Sequence, residues 1–251
     1  MRPANSLERV LALLEVFSED RLEWMPDDLI KELGYTRPTL YRYLKILKDA
    51  GFLMSTRNSV VTLGPKIVEM DYLTRRSDPL VIQAQPYLRG LTEAHTCTAL
   101  LLRWYGNKIL CVASETSAKN PVTSYPRGRP MPLGRGAIPR SIMAYLPKPK
   151  LLPLVRRNLD DLRAVGLGPT EEDVQKQLKA VRKAGFAVAY GEVTPGAVGI
   201  AAPVLDERQL PIASVCVTIS GSLVKGSQID EIGAEVRRVA QQIAPHGNIT
   251  G

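Results

Sequence analysis

The sequence has few of the residue types on which most enzyme and metal sites depend. Its 251 residues include two histidines, His95 and His246, and three cysteines, Cys97, Cys111 and Cys216. The cysteines are odd in number, widely spaced and placed in apolar runs, so they match neither a disulfide framework nor a metal-ligand spacing. We therefore expect three buried free thiols, no metal and no cofactor.

Catalytic motifs are also missing. A catalytic triad would depend on His95 alone, because His246 lies almost at the end of the sequence. There is no HExxH zinc motif, no P-loop and no glycine-rich dinucleotide fingerprint. Cys216 stands between two valines, a pattern more typical of a core strand than of a nucleophile. The sequence therefore argues against an enzyme.

Long apolar runs are absent as well. A membrane helix needs about 20 mostly apolar residues, and no segment approaches that length. Residues 1–6 lead directly into an amphipathic pattern without the core of a signal peptide. These absences predict a cytoplasmic protein without a membrane partner. At 45% hydrophobic and 23% charged residues, the composition is that of a globular protein with one large domain or two small ones.

The net charge of +8 is unevenly distributed. Between Thr36 and Lys66, six lysines and arginines face one acid, Asp49. Between Arg103 and Arg163, twelve cations face three acids. The first excess predicts a surface for a polyanion, whereas the second needs a separate explanation.

Residues 1–64 predict three helices and a hairpin. The second helix begins near Pro26 and ends at Gly34, and the third runs from about Arg37 to Gly51. Two short strands then surround the polar tip 55–59. An apolar stripe with helical spacing predicts the first helix: Leu7, Val10, Leu11, Leu14 and Phe17. This order of elements predicts a winged helix-turn-helix domain.

The third helix is expected to read DNA. With Leu40, Leu44 and Leu47 turned inward, its outer face at the N-terminal half would enter the major groove. Arginines there can reach guanine edges or phosphates, and hydroxyl groups can bind phosphates. The candidate DNA-binding residues are Arg37, Thr39, Tyr41, Arg42 and Lys45, with Arg57 at the hairpin tip. A short basic helix can also be merely a solvated face, but the preceding helix, the glycine turn and the hairpin favour DNA binding.

The remaining pattern predicts a linker helix over residues 65–77 and an α+β domain over residues 78–251. The sequence Ser77-Asp78-Pro79 favours a break between them. Helices are predicted at 79–95, 137–145, 148–157, 170–184 and 229–243, and strands at 98–105, 108–113, 186–190, 198–205 and 211–219.

The sequence resembles the isocitrate lyase regulator (IclR) family of bacterial transcription regulators over nearly its whole length. The segments that carry the resemblance are residues 6–11, 33–35, 38–44, 51–53, 196–206 and 215–221. The resemblance implies a C-terminal GAF-like effector-binding domain joined to the DNA-binding domain by a linker helix. It also implies a homodimer or homotetramer that binds palindromic double-stranded DNA operators.

The resemblance places an effector pocket between the sheet and the segment 129–140, where backbone amides at the helix start are natural anion receptors. By position, Ala137 and Ile138 line it, and Thr218 and Ser220 supply hydroxyl groups from the strand opposite. Gly199 stands where many relatives carry a cysteine, and Gly134 and Pro139 replace a common histidine and glycine. These departures argue against small keto acids as ligands.

Charge and size suggest an acidic effector. Small residues at 134, 136, 137 and 199 leave room, and four arginines can each pair with a carboxylate: Arg127, Arg129, Arg135 and Arg140. We therefore predict a ligand-responsive regulator of a catabolic operon with an aromatic carboxylate as effector. The arginines could instead be solvated or contact DNA or a partner subunit. Open alternatives are a keto acid or neutral metabolite as effector, an effector-free DNA binder, and an enzyme with an appended DNA-binding domain.

Overall fold

The computed structural model describes residues 5–119 and 125–243, so His246 lies outside the described residues. The chain divides between Ser77 and Asp78 into two compact units. Within the described ranges, no helix is long and apolar enough to cross a membrane.

The first unit is a winged helix-turn-helix, as predicted. The side chain of Asn5 caps α1 in a capping box with Glu8, and Gly34, at φ +64°, ends α2 in the left-handed conformation. Strands β1 and β2 pair antiparallel as the wing. The elements are α1 (Ser6–Glu15), α2 (Pro26–Leu33), α3 (Arg37–Asp49), β1 (Leu53–Ser55), β2 (Val61–Leu63) and α4 (Pro65–Ser77).

Of the apolar stripe predicted for the first helix, Val10, Leu14 and Phe17 pack against the core of this unit, whereas Leu7 and Leu11 do not. Leu13 is completely buried, whereas Leu7 and Leu11 are 73% and 58% exposed. An unpredicted antiparallel bridge joins Trp24 to Val61 and extends the wing. Helix α4 has no buried residue. The helices α1 and α4 therefore carry apolar side chains that this unit does not cover.

The second unit contains one five-stranded antiparallel sheet, in the order β4-β3-β7-β6-β5. The predicted α+β class is confirmed, and the short helix α8 is an addition to the predicted elements. The helices are α5 (Pro79–Ala94), α6 (Ala137–Met143), α7 (Lys148–Arg157), α8 (Leu159–Ala164), α9 (Glu171–Ala184) and α10 (Ile229–Ile243). The strands are β3 (Thr98–Trp104), β4 (Ile109–Thr116), β5 (Ala187–Tyr190), β6 (Ala197–Leu205) and β7 (Pro211–Ser220).

Both faces of the sheet are buried. On β3, Ala99 and Leu101 pack on the side of α5 and α10, while Leu100 and Leu102 pack on the side of α6 to α9. This alternation explains the continuous apolar run of the strand. The completely buried hydroxyl groups of Ser141 and Ser214, 2.9 Å apart, join α6 to β7. Helix α6 is thereby held on the sheet.

The three cysteines are buried and free, as predicted. Burial raises the pKa of Cys97 and Cys216 to about 12 and that of Cys111 to about 11. The thiols therefore stay protonated near neutral pH, where a nucleophilic cysteine would need to be a thiolate.

Candidate functional site

Helix α3 presents a basic face on the first unit. Its first turn contains Pro38, which helices tolerate there, and it buries Leu40, Leu44 and Leu47 as predicted, together with Tyr43. Of the candidate DNA-binding residues on α3, Thr39 is half-buried and the other four are exposed: Arg37, Tyr41, Arg42 and Lys45. The helical period therefore brings the candidate DNA-binding residues together on the N-terminal half of α3.

The electrostatics of this face are simple, because α3 carries no acid before Asp49. Arg37 forms an ion pair of 2.6 Å with Asp27 of α2, and each side chain is 65% exposed. Among the described residues, Arg42 and Lys45 have no ion-pair partner, and neither has Arg57, which is exposed between β1 and β2. These cations are available to an anionic partner in solution.

The second unit contains a cavity between α6 and the sheet. It offers about 480 Å³ of empty space with its open mouth included, and little of that space is wider than a water molecule. The cavity is thus narrow. Its walls are mainly apolar, and the residues that line it include Leu100, Met131, Ile138, Gly199, Cys216 and Thr218.

The structure places only part of the predicted effector site at this cavity. Ala137, Ile138, Gly199 and Thr218 line it, and the last two are register partners on β6 and β7. Ser220 is not among the lining residues, and its hydroxyl lies 2.9 Å from that of Ser222.

The predicted small residues also separate into two roles. Gly136 lines the cavity at φ +98°, where a side chain would be strained. Gly134 instead allows the close approach of α8, since a Cβ there would lie 2.4 Å from Cβ of Asp161. Gly134 therefore serves packing and adds no room to the cavity.

None of the four candidate arginines lines the cavity. Arg135 pairs with Asp161 at 2.6 Å, and Arg140 pairs with Glu192 at 2.5 Å. The guanidinium of Arg129 lies 4.8 Å from the ring centroid of Tyr125, and Arg127 is half-buried, with its charge acting on the Cys111 thiol. In this arrangement their side chains interact with other groups of the described chain and not with the cavity.

Glu192 is the site residue that the sequence did not indicate. One carboxylate oxygen accepts a hydrogen bond from Nη2 of Arg140, and the other accepts the backbone N–H of Gly136 at 2.8 Å. The Glu192 side chain is 13% exposed and lines the cavity. The helix-start amide that was expected to receive an effector anion thus already binds a carboxylate of the chain. Because 52 residues separate Arg140 from Glu192, no local pattern pointed to this pair.

Comparison with known proteins decides the family. The IclR helix-turn-helix domain model matches residues 6–56, and the model of the bacterial transcriptional regulator IclR C-terminal domain matches residues 71–245. The chain belongs to the IclR family. It is a DNA-binding transcription regulator with an N-terminal helix-turn-helix and a C-terminal effector-binding domain.

Relatives of similar length support this assignment. The HTH-type transcriptional regulator XynR of Escherichia coli is 25% identical over 227 residues, which is 90% of each chain. The crystal structure of an IclR transcriptional regulator from Alicyclobacillus acidocaldarius has a TM-score of 0.77 at 20% identity, covering 96% of this chain and 98% of that one. An IclR homolog from Microbacterium hydrocarbonoxydans, complexed with 4-hydroxybenzoate, has a TM-score of 0.72 at 20% identity, covering 95% and 97%.

Proposed function

We propose that this IclR-family chain is a ligand-responsive regulator of a catabolic operon, and that its effector is a small aromatic compound bound between α6 and the sheet. The observation that carries the proposal is the cavity. Small-molecule sites are typically concave and mainly apolar, and this cavity between α6 and the sheet has both features. Its narrowness suits a planar ring, and Leu100, Met131 and Ile138 supply apolar walls for it.

The Microbacterium relative supports an aromatic ligand, because a chain of the same fold holds 4-hydroxybenzoate. The position of the arginines does not support a carboxylate in particular. The described lining residues include no lysine or arginine, so an acid in this cavity would gain a direct cationic partner only if a nearby arginine side chain moved. We therefore propose the aromatic ring as the shared feature of effectors and treat the acid group as a variable to be tested.

We infer that the outer face of α3 reads the operator. Arg37, Thr39, Tyr41, Arg42 and Lys45 lie where a recognition helix contacts base edges and phosphates in the major groove. Arg57, at the hairpin tip, would contact an adjacent phosphate. In this proposal residues 1–64 form the DNA-binding domain, 65–77 the linker helix and 78–251 the effector domain.

We further propose that the chain works as a homodimer or homotetramer. Exposed apolar side chains that occur together mark protein interfaces more often than free surface. Such side chains lie on α1 and on α4, and their exposed fractions lie between 45% and 73%: Leu7, Leu11, Val68, Met70, Tyr72 and Leu73. A symmetric dimer also matches the two half-sites of a palindromic operator.

The mechanism is linkage between two binding sites. An effector that binds one dimer geometry better than another shifts the population toward that geometry, which changes the spacing of the two recognition helices. The factor by which the effector changes operator affinity must equal the factor by which the operator changes effector affinity.

The test uses the full chain and DNA that it selects from a random pool. Thermal melts are recorded with phenol, benzoate, 4-hydroxybenzoate, aliphatic dicarboxylates and small keto acids. A true effector at 100 times its dissociation constant adds about 2.7 kcal/mol of stability and changes DNA affinity in a separate titration. Stabilisation by keto acids alone would contradict the aromatic proposal, and no stabilisation by any compound would leave an effector-free DNA binder.

Gly199 offers a matched pair of variants for this test. A Cβ at this position would lie 3.8 Å from Cβ of Ala137 and 4.0 Å from Sγ of Cys216, which is ordinary contact. Gly199→Ala should therefore keep the ligand response, whereas Gly199→Leu should fill the cavity and abolish it without changing DNA binding. An unchanged response in Gly199→Leu would place the ligand elsewhere.

A further inference from the structure

We infer that Glu192 sets the chemical class of the effector: the end of the ligand next to α6 is a neutral hydroxyl donor, and a carboxylate is excluded there. The inference rests on the proposed function, since it concerns the ligand of the same cavity. It begins from the finding that the chain supplies its own carboxylate at this position.

The Glu192 carboxylate is firmly held. Arg140 donates through Nη2 to Glu192 and through Nη1 to the carbonyl oxygen of Val188 at 2.9 Å, so its guanidinium is fixed between the two. Arg140 as a whole is 9% exposed. The N–H of Gly136 holds the second carboxylate oxygen. An ion pair buried to this degree does not open without a large cost.

The charge of the cavity wall opposes a second carboxylate. Glu192 is the only acid or base of the Asp, Glu, His, Lys or Arg types among the described lining residues. Arg140 is already engaged by Glu192, so an entering carboxylate would lie beside a like charge, and the described lining residues offer it no cation. Repulsion between like charges is strong where water is excluded.

The same carboxylate remains a good acceptor. An ionised carboxyl group has about four acceptor positions, of which Arg140 and Gly136 use one each. A phenol or alcohol hydroxyl can donate to the remainder in a charge-assisted hydrogen bond, while the ring packs on Leu100 and Ile138. A hydroxylated aromatic acid also fits if its acid group points away from Glu192.

The decisive measurement compares three ligands of one ring size on the wild-type full chain: phenol, anisole and benzoate. We expect phenol to bind about tenfold more tightly than anisole, which lacks the hydroxyl donor. Phenol should also bind at least about tenfold more tightly than benzoate. Benzoate binding as tightly as phenol would overturn the inference and leave the proposed function standing. Failure of every aromatic compound would overturn both.

Variants of Glu192 should weaken or reverse the preference for phenol. Glu192→Gln keeps the shape and removes the charge, so the advantage of phenol over anisole should fall several-fold. Glu192→Ala exposes the Gly136 N–H and the Arg140 guanidinium, so benzoate should now bind more tightly than phenol, and acetate should raise the melting temperature. Retained phenol preference in Glu192→Ala would overturn the inference. Glu172→Gln, on the exposed first turn of α9, is the control that should change nothing.

If the buried guanidinium left by Glu192→Ala prevents folding, the variant is refolded in acetate and in chloride at equal ionic strength. Folding in acetate alone supports the inference, because only a carboxylate can replace the lost group. Equal failure in both salts counts against it. The wild-type comparison stands independently of this variant.

Discussion

Two segments of the chain carry an excess of basic residues, and the structure uses them differently. On α3, Arg37, Arg42 and Lys45 are exposed, and within the described residues Arg37 is the one that has a carboxylate partner. Between Arg103 and Arg163, ion pairs with carboxylates within the described residues include Arg103 with Asp78, Arg135 with Asp161, Arg140 with Glu192, Arg156 with Glu171 and Arg163 with Asp160.

The difference shows when charge in a sequence window predicts a partner. Asp78, Glu171 and Glu192 lie outside the second window, so part of its excess of positive charge is offset only after the chain folds. On α3 the helical period fixes which residues share a face, and no distant acid reaches Arg42 or Lys45 within the described part of the chain. Local geometry therefore keeps the predicted DNA-binding residues of α3 on one face, whereas long-range pairing engages several arginines of the second segment.

The largest expected effect separates buried from exposed pairs. Arg140→Ala should lower the free energy of unfolding by about 3–5 kcal/mol, because it leaves Glu192 buried without its cation. Arg135→Ala should cost at most about 1 kcal/mol, since both partners are 44% exposed. Urea unfolding of both variants measures the difference. Equal losses of stability would mean that the buried and the exposed ion pair contribute equally, contrary to this prediction.

The next effect concerns DNA. Arg42→Ala should weaken binding to the selected operator by about 10- to 100-fold, because a recognition-helix arginine reaches a base edge or phosphate. Arg156→Ala should leave it unchanged, since Arg156 pairs with Glu171 in the other unit. Fluorescence anisotropy at one fixed salt concentration gives both values. A comparable loss in Arg156→Ala would assign DNA contacts to the second basic segment.

The sequence predicted elements better than contacts. Helices α7 and α10 begin and end where their patterns predicted, because helical periodicity and capping are local signals. The bridge from Trp24 to Val61 and the ion pair from Arg140 to Glu192 join residues far apart in the sequence, so no window contains them. Ala137 and Gly199 therefore line the cavity, whereas Glu192, which the sequence did not indicate, supplies its charge; that an effector binds there stays a prediction.

A smaller effect is expected at Lys45, whose predicted contact with the DNA phosphate backbone can be tested by salt dependence. Lys45→Ala should reduce the slope of log affinity against log salt by about one, with a similar loss for specific and random DNA. Lys150→Ala, on the exposed side of α7, should leave the slope unchanged. A sequence-dependent loss in Lys45→Ala would instead assign this lysine to base recognition.

The smallest effect concerns Asp27, a carboxylate that forms an ion pair with Arg37 on the basic face of α3. Asp27 holds Arg37 at 2.6 Å, and because both side chains are 65% exposed, their pairing contributes little to stability. Asp27→Asn removes a negative charge from the face that approaches phosphates and releases Arg37 toward them. Operator affinity should rise about two- to threefold at low salt and return to the wild-type value at about 1 M salt, where the screening length is about 3 Å. Glu93→Gln, an exposed acid of the second unit, should show no such gain. A weaker operator complex in Asp27→Asn would mean that Asp27 holds Arg37 in its binding geometry, so that pairing on α3 serves recognition instead of competing with it.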